Sequence, residues 1–79
     1  MDVEITVKLK KGLLNPEAGT IGRSLNLLGY KNVSDVDTKK MFMMKIDAKS
    51  AADAKKQADE MCRRLLTNPV IEDYEIVVK

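Results

Sequence analysis

Two Asn-Pro pairs divide this 79-residue chain into strand-forming and helix-forming segments. Proline has no N–H and a fixed φ, so it fits the first turn of a helix but ends any helix that precedes it. Asn15-Pro16 comes before a helical pattern, which predicts Asn15 as the N-cap and Pro16 as the first helical residue. Asn68-Pro69 follows a helical pattern instead. The two pairs therefore predict one helix start and one helix stop.

Four segments have the pattern of β-strands. The first runs from Val3 to Leu9. Its apolar and polar residues alternate, as in a strand that has one buried face. Residues 33–36 are short and polar, and residues 37–40 form a plausible hairpin connection to a longer strand over 41–48. The last strand is predicted over residues 71–78.

Two segments between these strands have helical periodicity. The first begins after Asn15 and reaches Gly29, a residue that readily adopts the left-handed conformation in which many helices end. The second begins at Ser50, which with Asp53 approximates a capping box, and stops before Pro69. The predicted apolar stripes are Ala18, Ile21, Leu25 and Leu28 in the first helix, and Ala51, Ala54, Ala58, Met61, Cys62 and Leu65 in the second.

The order strand, helix, strand, strand, helix, strand predicts one α+β domain over residues 1–79, a ferredoxin-like βαββαβ two-layer sandwich. Right-handed crossovers would place both helices on one face of a four-stranded antiparallel sheet. The other face would be uncovered, and Met41, Met43 and Val77 would point towards it. Exposed apolar patches usually mark a partner, so these residues are the candidate dimer face of a homodimer formed sheet against sheet. A tetramer is left open.

Composition excludes several classes of function. The chain has 14 basic and 12 acidic residues and a net charge of +2, too weak a field to indicate nucleic acid or an anionic membrane surface. No apolar segment is long enough to span a bilayer, and the N-terminus has a strand pattern rather than that of a signal peptide. The single cysteine cannot form an internal disulfide. A cytoplasmic protein with no membrane partner is expected.

No catalytic, cofactor or metal site is predicted. The chain has no histidine, the commonest general base and metal ligand. Cys62 lies on the apolar stripe of the second helix and is expected to be a core residue. The close carboxylate pairs, Asp35 with Asp37 and Glu72 with Asp73, lack the further ligands of a metal site. The glycines do not have the spacing of a phosphate-binding loop.

An RNA-binding sheet of the RRM kind has the same strand order, but it stacks bases on clustered aromatic side chains. This chain has three aromatic residues, Tyr30, Phe42 and Tyr74, and no such cluster. The methionines at positions 41, 43 and 44 suit protein contact better than base stacking. Nucleic acid is therefore not expected as a partner.

Nearly the entire chain resembles the PurS family, the small subunits of the three-component phosphoribosylformylglycinamidine (FGAM) synthase of purine synthesis. The resemblance lies in the opening strand, in Leu14-Asn15-Pro16, in Leu28-Gly29-Tyr30 and the segment after it, and most specifically in Asn68-Pro69-Val70-Ile71-Glu72-Asp73-Tyr74. Family members commonly have Asp-Pro at the first junction. Asparagine is an equally competent N-cap, so this departure leaves the resemblance intact.

The resemblance implies a non-catalytic role. PurS-like proteins accompany a glutaminase subunit, PurQ, and a synthetase subunit, PurL, in a complex that converts formylglycinamide ribonucleotide to FGAM with ATP and glutamine-derived ammonia. A PurS homodimer is expected to bridge these partners and to support ammonia transfer. ATP and Mg are then expected at the synthetase partner, and none at this chain.

Two turns are expected to contact those partners, because unusual loop residues serve function more often than core residues do. They span residues 10–16 and 67–74. The alternative is that both Asn-Pro pairs only mark the ends of helices. The candidate partner-interface residues are Lys10, Lys11, Asn15, Asn68, Glu72, Asp73 and Tyr74.

Two other functional classes share this topology. A regulatory domain of the ACT kind would bind an amino acid at a dimer interface, and ligand-dependent thermal stabilisation would reveal it. An acylphosphatase would turn over substrate as an isolated chain. The first strand-to-helix turn of this sequence lacks the glycine-rich loop and phosphate-binding arginine of acylphosphatases.

Overall fold

The computed structural model describes residues 1–79 as three strands and two helices. The strands form an antiparallel sheet in the order β2-β1-β3. A π-helical turn, Cys62–Leu66, follows the second helix directly. The predicted α+β class and ferredoxin-like fold are confirmed, with the elements in the order strand, helix, strand, helix, strand. The elements are β1 (Asp2–Leu9), α1 (Pro16–Leu27), β2 (Lys40–Lys45), α2 (Ala51–Met61) and β3 (Glu72–Val78).

The core lies between the sheet and α2. Val3, Ile5 and Val7 of the central strand β1 are at most 3% exposed, as the alternating pattern predicts. Ala54, Ala58 and Cys62 complete the buried cluster from the helix side, together with Ile46. The small side chains on this helix face let α2 lie close to the strands. No helix is both long and apolar enough to cross a membrane.

The second helix begins as predicted but ends differently. The Ser50 hydroxyl accepts a hydrogen bond from the Asp53 N–H at 3.1 Å, which confirms the N-cap. The π-helical turn contains more residues per turn than an α-helix and therefore rotates the side chains that follow it. Leu65, predicted on the apolar stripe, is 83% exposed as a result. Ala51 at the first turn is also exposed, so both of these assignments to the stripe are wrong.

The predicted strand over residues 33–36 and the hairpin over 37–40 are wrong for this chain. The sheet has three strands rather than four, and residues 34–39 make no backbone–backbone hydrogen bond. A strand needs a neighbour, and here the segment runs past the end of β1 before β2 begins pairing at Lys40. The next strand ends at Lys45 rather than Ala48, although Ile46 still pairs with Met1 at 2.8 and 2.9 Å.

The first helix has the predicted ends. Asn15 Oδ1 accepts a hydrogen bond from the Ala18 N–H at 3.1 Å, and Pro16 is the first helical residue. At the other end Gly29 has φ +105°. Its N–H donates to the Asn26 carbonyl, and the Tyr30 N–H donates to the Leu25 carbonyl. This pair of bonds is a Schellman motif, as a C′ glycine predicts.

The position of α1 differs from the prediction that both helices cover one face of the sheet. Substantial helix contacts with the strands come from α2, and α1 contributes no residue to the core cluster. Ala18 is buried, but Ile21 and Leu28 of the predicted stripe are exposed. The radius of gyration is 16.1 Å and the extents are 52 × 24 × 15 Å, against about 12 Å for a compact chain of this length. The helix therefore projects from the sheet instead of lying on it.

Candidate functional site

The two predicted partner-binding turns meet at one end of the sheet. Leu9 lies opposite Glu72 in the antiparallel β1–β3 ladder, so the end of β1 and the start of β3 are adjacent. The Lys10 N–H donates to the Ile71 carbonyl at 2.8 Å, and Lys10 Nζ lies 3.7 Å from an Asp73 carboxylate oxygen. Residues more than sixty positions apart in sequence are thus brought side by side.

Most of the candidate interface residues surround two shallow clefts at this end. Lys10, Lys11, Asn15 and Asp73 line the first, which has a volume of about 350 Å³. Asn15 and Glu72 line the second, of about 310 Å³. Asn68 and Tyr74 line neither cleft. The sequence therefore predicted a group of residues of which five lie around neighbouring clefts.

Two charged residues at the first cleft, Lys8 and Asp37, are not among the predicted interface residues. Lys8 lies 3.2 Å from a carboxylate oxygen of Asp37, and both side chains line the cleft. Sequence analysis places Asp37 in a hairpin connection and in a carboxylate pair without metal ligands, and the sequence carries no signal that Asp37 would contact β1. Exposed ion pairs of this kind contribute little to stability. The pair does, however, give this cleft exposed charges of both signs.

Asn15 connects three elements at this end. Its Oδ1 caps α1, while its Nδ2 donates to Asp37 Oδ1 at 3.1 Å and to Thr38 Oγ1 at 2.9 Å. The pKa of Asp37 lies below the usual range, chiefly because the Thr38 N–H donates to it, with further donation from Lys8 and Asn15. The ionised Asp37 carboxylate thus accepts hydrogen bonds from its own segment, through the Thr38 N–H, and from the side chains of Lys8 and Asn15.

Asn68 organises its own turn. Its side-chain oxygen accepts from the Val70 N–H at 3.1 Å, and its N–H donates to the Glu72 carboxylate at 2.7 Å. Its carbonyl accepts from the Glu72 N–H at 2.8 Å. These local bonds are those of an Asx-type turn, which supports the structural reading of Asn68-Pro69. Contact between this turn and a partner stays a prediction.

Tyr74 lies on the helix side of the sheet rather than at the clefts. It is half-buried beside the core, and its hydroxyl donates to the Asp59 carboxylate of α2. This hydrogen bond raises the pKa of Tyr74, because deprotonation would place two negative charges together. Asp59 also accepts an ion pair from Arg63 at 3.0 Å. Tyr74 therefore ties β3 to α2, and its contact with a partner stays a prediction.

The candidate dimer face has the predicted orientation. Met41, Met43 and Val77 are exposed, Met43 at 77%, on the face of the sheet that α2 does not cover. Glu4 of β1 lies between Met43 and Val77 and forms an ion pair with Lys79. An uncovered sheet face with apolar edges is therefore present. Dimer formation through it stays a prediction.

The side chains that could bind a metal or act as a nucleophile do not form a cluster in this structure. No group of three or more His, Cys, Asp or Glu residues could hold a metal ion. Cys62 is fully buried, and burial together with the nearby Asp59 raises the pKa of its thiol. A neutral buried thiol is unreactive. The arrangement is that of a protein surface, with clefts of mixed charge at one end of the sheet.

A model of the PurS family, described as phosphoribosylformylglycinamidine (FGAM) synthase, matches residues 2–79. The chain belongs to the PurS family. It is 49% identical over 75 residues to the PurS subunit of this synthase from Methanocaldococcus jannaschii, an alignment that covers 95% of this chain and 90% of that protein. The PurS subunit from Bacillus subtilis is 36% identical over 77 residues, covering 98% and 90% respectively.

Solved PurS structures share the fold. The crystal structure of M. jannaschii PurS, described as one of the subunits of formylglycinamide ribonucleotide amidotransferase in the purine biosynthetic pathway, matches with a TM-score of 0.90 over 99% of this chain and 94% of that one, at 49% identity. A chain in the structure of PurLQS from Thermotoga maritima matches with a TM-score of 0.87 over 96% and 93%, at 26% identity. The resemblance seen in the sequence is confirmed: this is a PurS-type subunit of FGAM synthase.

Proposed function

We propose that the chain is the non-catalytic subunit that bridges a PurQ glutaminase and a PurL synthetase, and that it supports the transfer of glutamine-derived ammonia between them. The observation that carries the proposal is the PurS match over residues 2–79, joined to the likeness to a chain of the T. maritima PurLQS structure. In this complex FGAM is formed from formylglycinamide ribonucleotide with ATP. The complex acts in the cytoplasm.

The division of chemistry within the complex follows from the residues that each subunit must supply. Glutamine hydrolysis needs an activated nucleophile, and the one thiol of this chain, Cys62, is buried with a raised pKa. ATP and Mg belong to the synthetase partner, and this chain binds no cofactor. Its contribution is to position the two partners relative to each other.

The surface proposed for the partners is the end of the sheet where the two turns meet. Lys11 is exposed there beside Asn15 and Asp73, and the cleft carries charges of both signs. A surface of alternating charge favours one docking orientation, since a wrong register places like charges together. The open face with Met41, Met43 and Val77 is proposed for contact with a second copy of the chain.

The deciding experiment is FGAM synthesis by purified PurQ and PurL with and without this protein, comparing glutamine with ammonium as the nitrogen donor. A bridging subunit should be required for the glutamine-dependent reaction and should change the ammonium-dependent reaction much less. If neither rate responds to the protein, the proposed function is wrong. If both rates respond equally, the protein acts on the synthetase rather than as a bridge.

The partner surface can be tested in the same assay. Lys11→Ala and Asp73→Ala change exposed side chains at the cleft and leave the core untouched. Lys55→Ala on the exposed side of α2 is the matched control. More of a cleft variant than of the control should be needed for half-maximal glutamine-dependent activity. If equal amounts of the three variants are needed for half-maximal activity, the partner surface lies elsewhere on the chain.

A further inference from the structure

The last strand of the chain lies at one edge of the sheet. In the order β2-β1-β3, one side of β3 pairs with β1 and the other side has no neighbour. Natural edge strands are usually protected from further pairing by proline, lysine, a bulge or a very short length. The seven residues of β3, Glu72–Val78, contain no proline, glycine or lysine and pair with β1 without a bulge. This edge is therefore a regular template for another strand.

The register of the β1–β3 ladder shows which backbone groups of β3 are free. The Lys10 N–H donates to the Ile71 carbonyl, and the Lys79 N–H donates to the Asp2 carbonyl, both at 2.8 Å. Hydrogen-bonded positions recur at every second residue of an antiparallel pair. The intervening residues of β3 point their N–H and C=O groups away from β1, and they are Tyr74, Ile76 and Val78. No backbone hydrogen bond beyond the ladder involves these residues.

The two faces of this edge differ in chemistry. The side chains of Tyr74, Ile76 and Val78 lie on the α2 side of the sheet and are only partly buried against the core. Asp73 and Glu75 lie on the open face and are exposed, and Glu75 forms no ion pair. A strand that continues the sheet here would meet apolar side chains on one face and carboxylates on the other.

We propose that a partner subunit adds a strand to the outer edge of β3. The incoming strand forms hydrogen bonds with the backbone of Tyr74, Ile76 and Val78. Its residues alternate, with apolar side chains on the α2 side and lysine or arginine opposite the carboxylates of the open face. Main-chain hydrogen bonds supply the affinity of such strand addition, and alternate side chains supply its specificity. The inference rests on the proposed bridging function, because it states how one enzyme partner is held.

Charge and position favour an enzyme partner over a second copy of this chain. Two copies of β3 in full antiparallel register would place Glu75 opposite Glu75, and like charges directly opposite each other are destabilising. Asp73 and Glu72, at the start of β3, line the first and second clefts of the proposed partner surface. A strand along β3 would extend that surface from the clefts along the edge of the sheet.

The first test is site-resolved amide hydrogen exchange of the full chain, free and in complex with purified PurL and PurQ. Exchange is quenched, and the amides are then measured by NMR on the dissociated, isotope-labelled protein. The N–H groups of Tyr74, Ile76 and Val78 should exchange at least about tenfold more slowly in the complex. The N–H groups of Glu75 and Val77 are the internal reference, because their bonds to β1 need no partner.

A second test removes one free donor and keeps every side chain. Residues 62–79 begin with Cys62, so a synthetic peptide with this sequence can be joined to residues 1–61 by ligation at the cysteine and the whole chain refolded. Methylation of the Ile76 backbone nitrogen deletes an outward N–H and leaves the hydrogen bonds to β1 in place. Affinity for the partners should fall about tenfold relative to the unmethylated ligated chain.

The charge of the incoming strand is tested by Glu75→Lys. Glu60→Lys, on the exposed side of α2, is the matched control with the same change of charge. The Glu75 variant should bind the partners about tenfold more weakly than the control, because only Glu75 faces the basic side chains of the added strand. Equal affinity of the two variants would contradict the basic character assigned to that strand.

The outcomes separate this inference from the proposed function. A complex that supports glutamine-dependent FGAM synthesis, but in which Tyr74, Ile76 and Val78 exchange as fast as in the free protein, would overturn strand addition and leave the bridge in place. Equal affinity of the methylated and unmethylated chains would also overturn strand addition. If the wild-type chain forms no complex with PurL and PurQ, both the bridge and the added strand are wrong.

Discussion

At the residue scale, the hydrogen bonds of Asn15 explain why an amide suits this position better than a carboxylate does. Its oxygen caps α1 while its nitrogen donates to Asp37 and Thr38. Asn15→Asp should keep the cap but replace a donor with a negative charge, so the pKa of Asp37 should rise towards or above the ordinary value of about 3.9. Carboxyl-carbon NMR titration measures this, with Asn15→Ser as a control that keeps the cap and adds no charge. An unchanged Asp37 titration in the aspartate variant would show that the amide is not its donor in solution.

The lowered pKa of Asp37 also determines how its contribution to the stability of the fold changes with pH. A carboxyl group with a lowered pKa in the folded state stabilises that state above its unfolded pKa of about 3.9. This contribution disappears as the pH falls through the folded value. The Asn15→Ser variant, which keeps the cap but removes the amide donor and adds no titrating group, should therefore lose less stability than the wild type when acidified.

Tyr74 gives the opposite pH dependence. Its pKa is raised by the bond to Asp59, so its stabilising contribution is complete below the unfolded tyrosine pKa of about 10 and is lost as the pH rises through the folded value. Tyr74→Phe should cost about 1 kcal/mol in urea unfolding at pH 7, the typical value of a hydrogen bond. The difference between wild type and variant should shrink above pH 10. A constant difference across that range would mean that the Tyr74 hydroxyl does not bind Asp59.

At the scale of elements, two glycines of the first helix should respond in opposite directions to alanine. Gly29 has φ +105°, a conformation that costs an L-residue about 1 kcal/mol, so Gly29→Ala should destabilise the end of α1. Gly19 lies inside the helix, where a new Cβ would meet only the Arg23 side chain at 3.7 Å. Gly19→Ala should therefore stabilise α1 by about 0.5–1 kcal/mol. Amide exchange within α1 measures both, and a shared direction would refute the assigned helix end.

The elements that sequence analysis predicted well are those defined by local chemistry. The Asn15 cap, the Gly29 end and the Ser50 cap depend on bonds within a few residues, and each has the predicted geometry. The alternating burial of β1 is similarly direct. The prediction of a strand over residues 33–36 is wrong because a strand is defined by its neighbour, and no pattern within the segment shows whether a neighbour is present.

The candidate site could likewise be predicted only where local sequence features determine it. The two turns carry distinctive residues, and the antiparallel register of β1 and β3 then places Lys10 beside Asp73. The contacts of Lys8 and Asn15 with Asp37 depend on the path of residues 34–39 past the end of β1, which sequence periodicity does not specify. Its position in the sequence groups Tyr74 with the turn, whereas the alternation of side chains along β3 directs Tyr74 towards α2.

At the scale of the whole molecule, only eight of 79 residues are buried, which is a small core for an independent domain. The exposed apolar side chains of the open sheet face, Met41, Met43 and Val77, would be covered by the second copy proposed above. Stability and association should therefore be coupled, since this apolar burial is gained only on dimerisation.

This coupling predicts that the urea midpoint depends on protein concentration. For a dimer that unfolds to two chains, each tenfold increase in concentration should raise the apparent unfolding free energy by about 1.4 kcal/mol. Midpoints at about 1, 10 and 100 μM should rise accordingly for the wild type and for the control Lys55→Ala. Met43→Lys places a charge on the open face proposed for contact with a second copy, so this variant should have lower midpoints at each concentration. If the midpoints of all three proteins are independent of concentration, the small core is sufficient without a second chain.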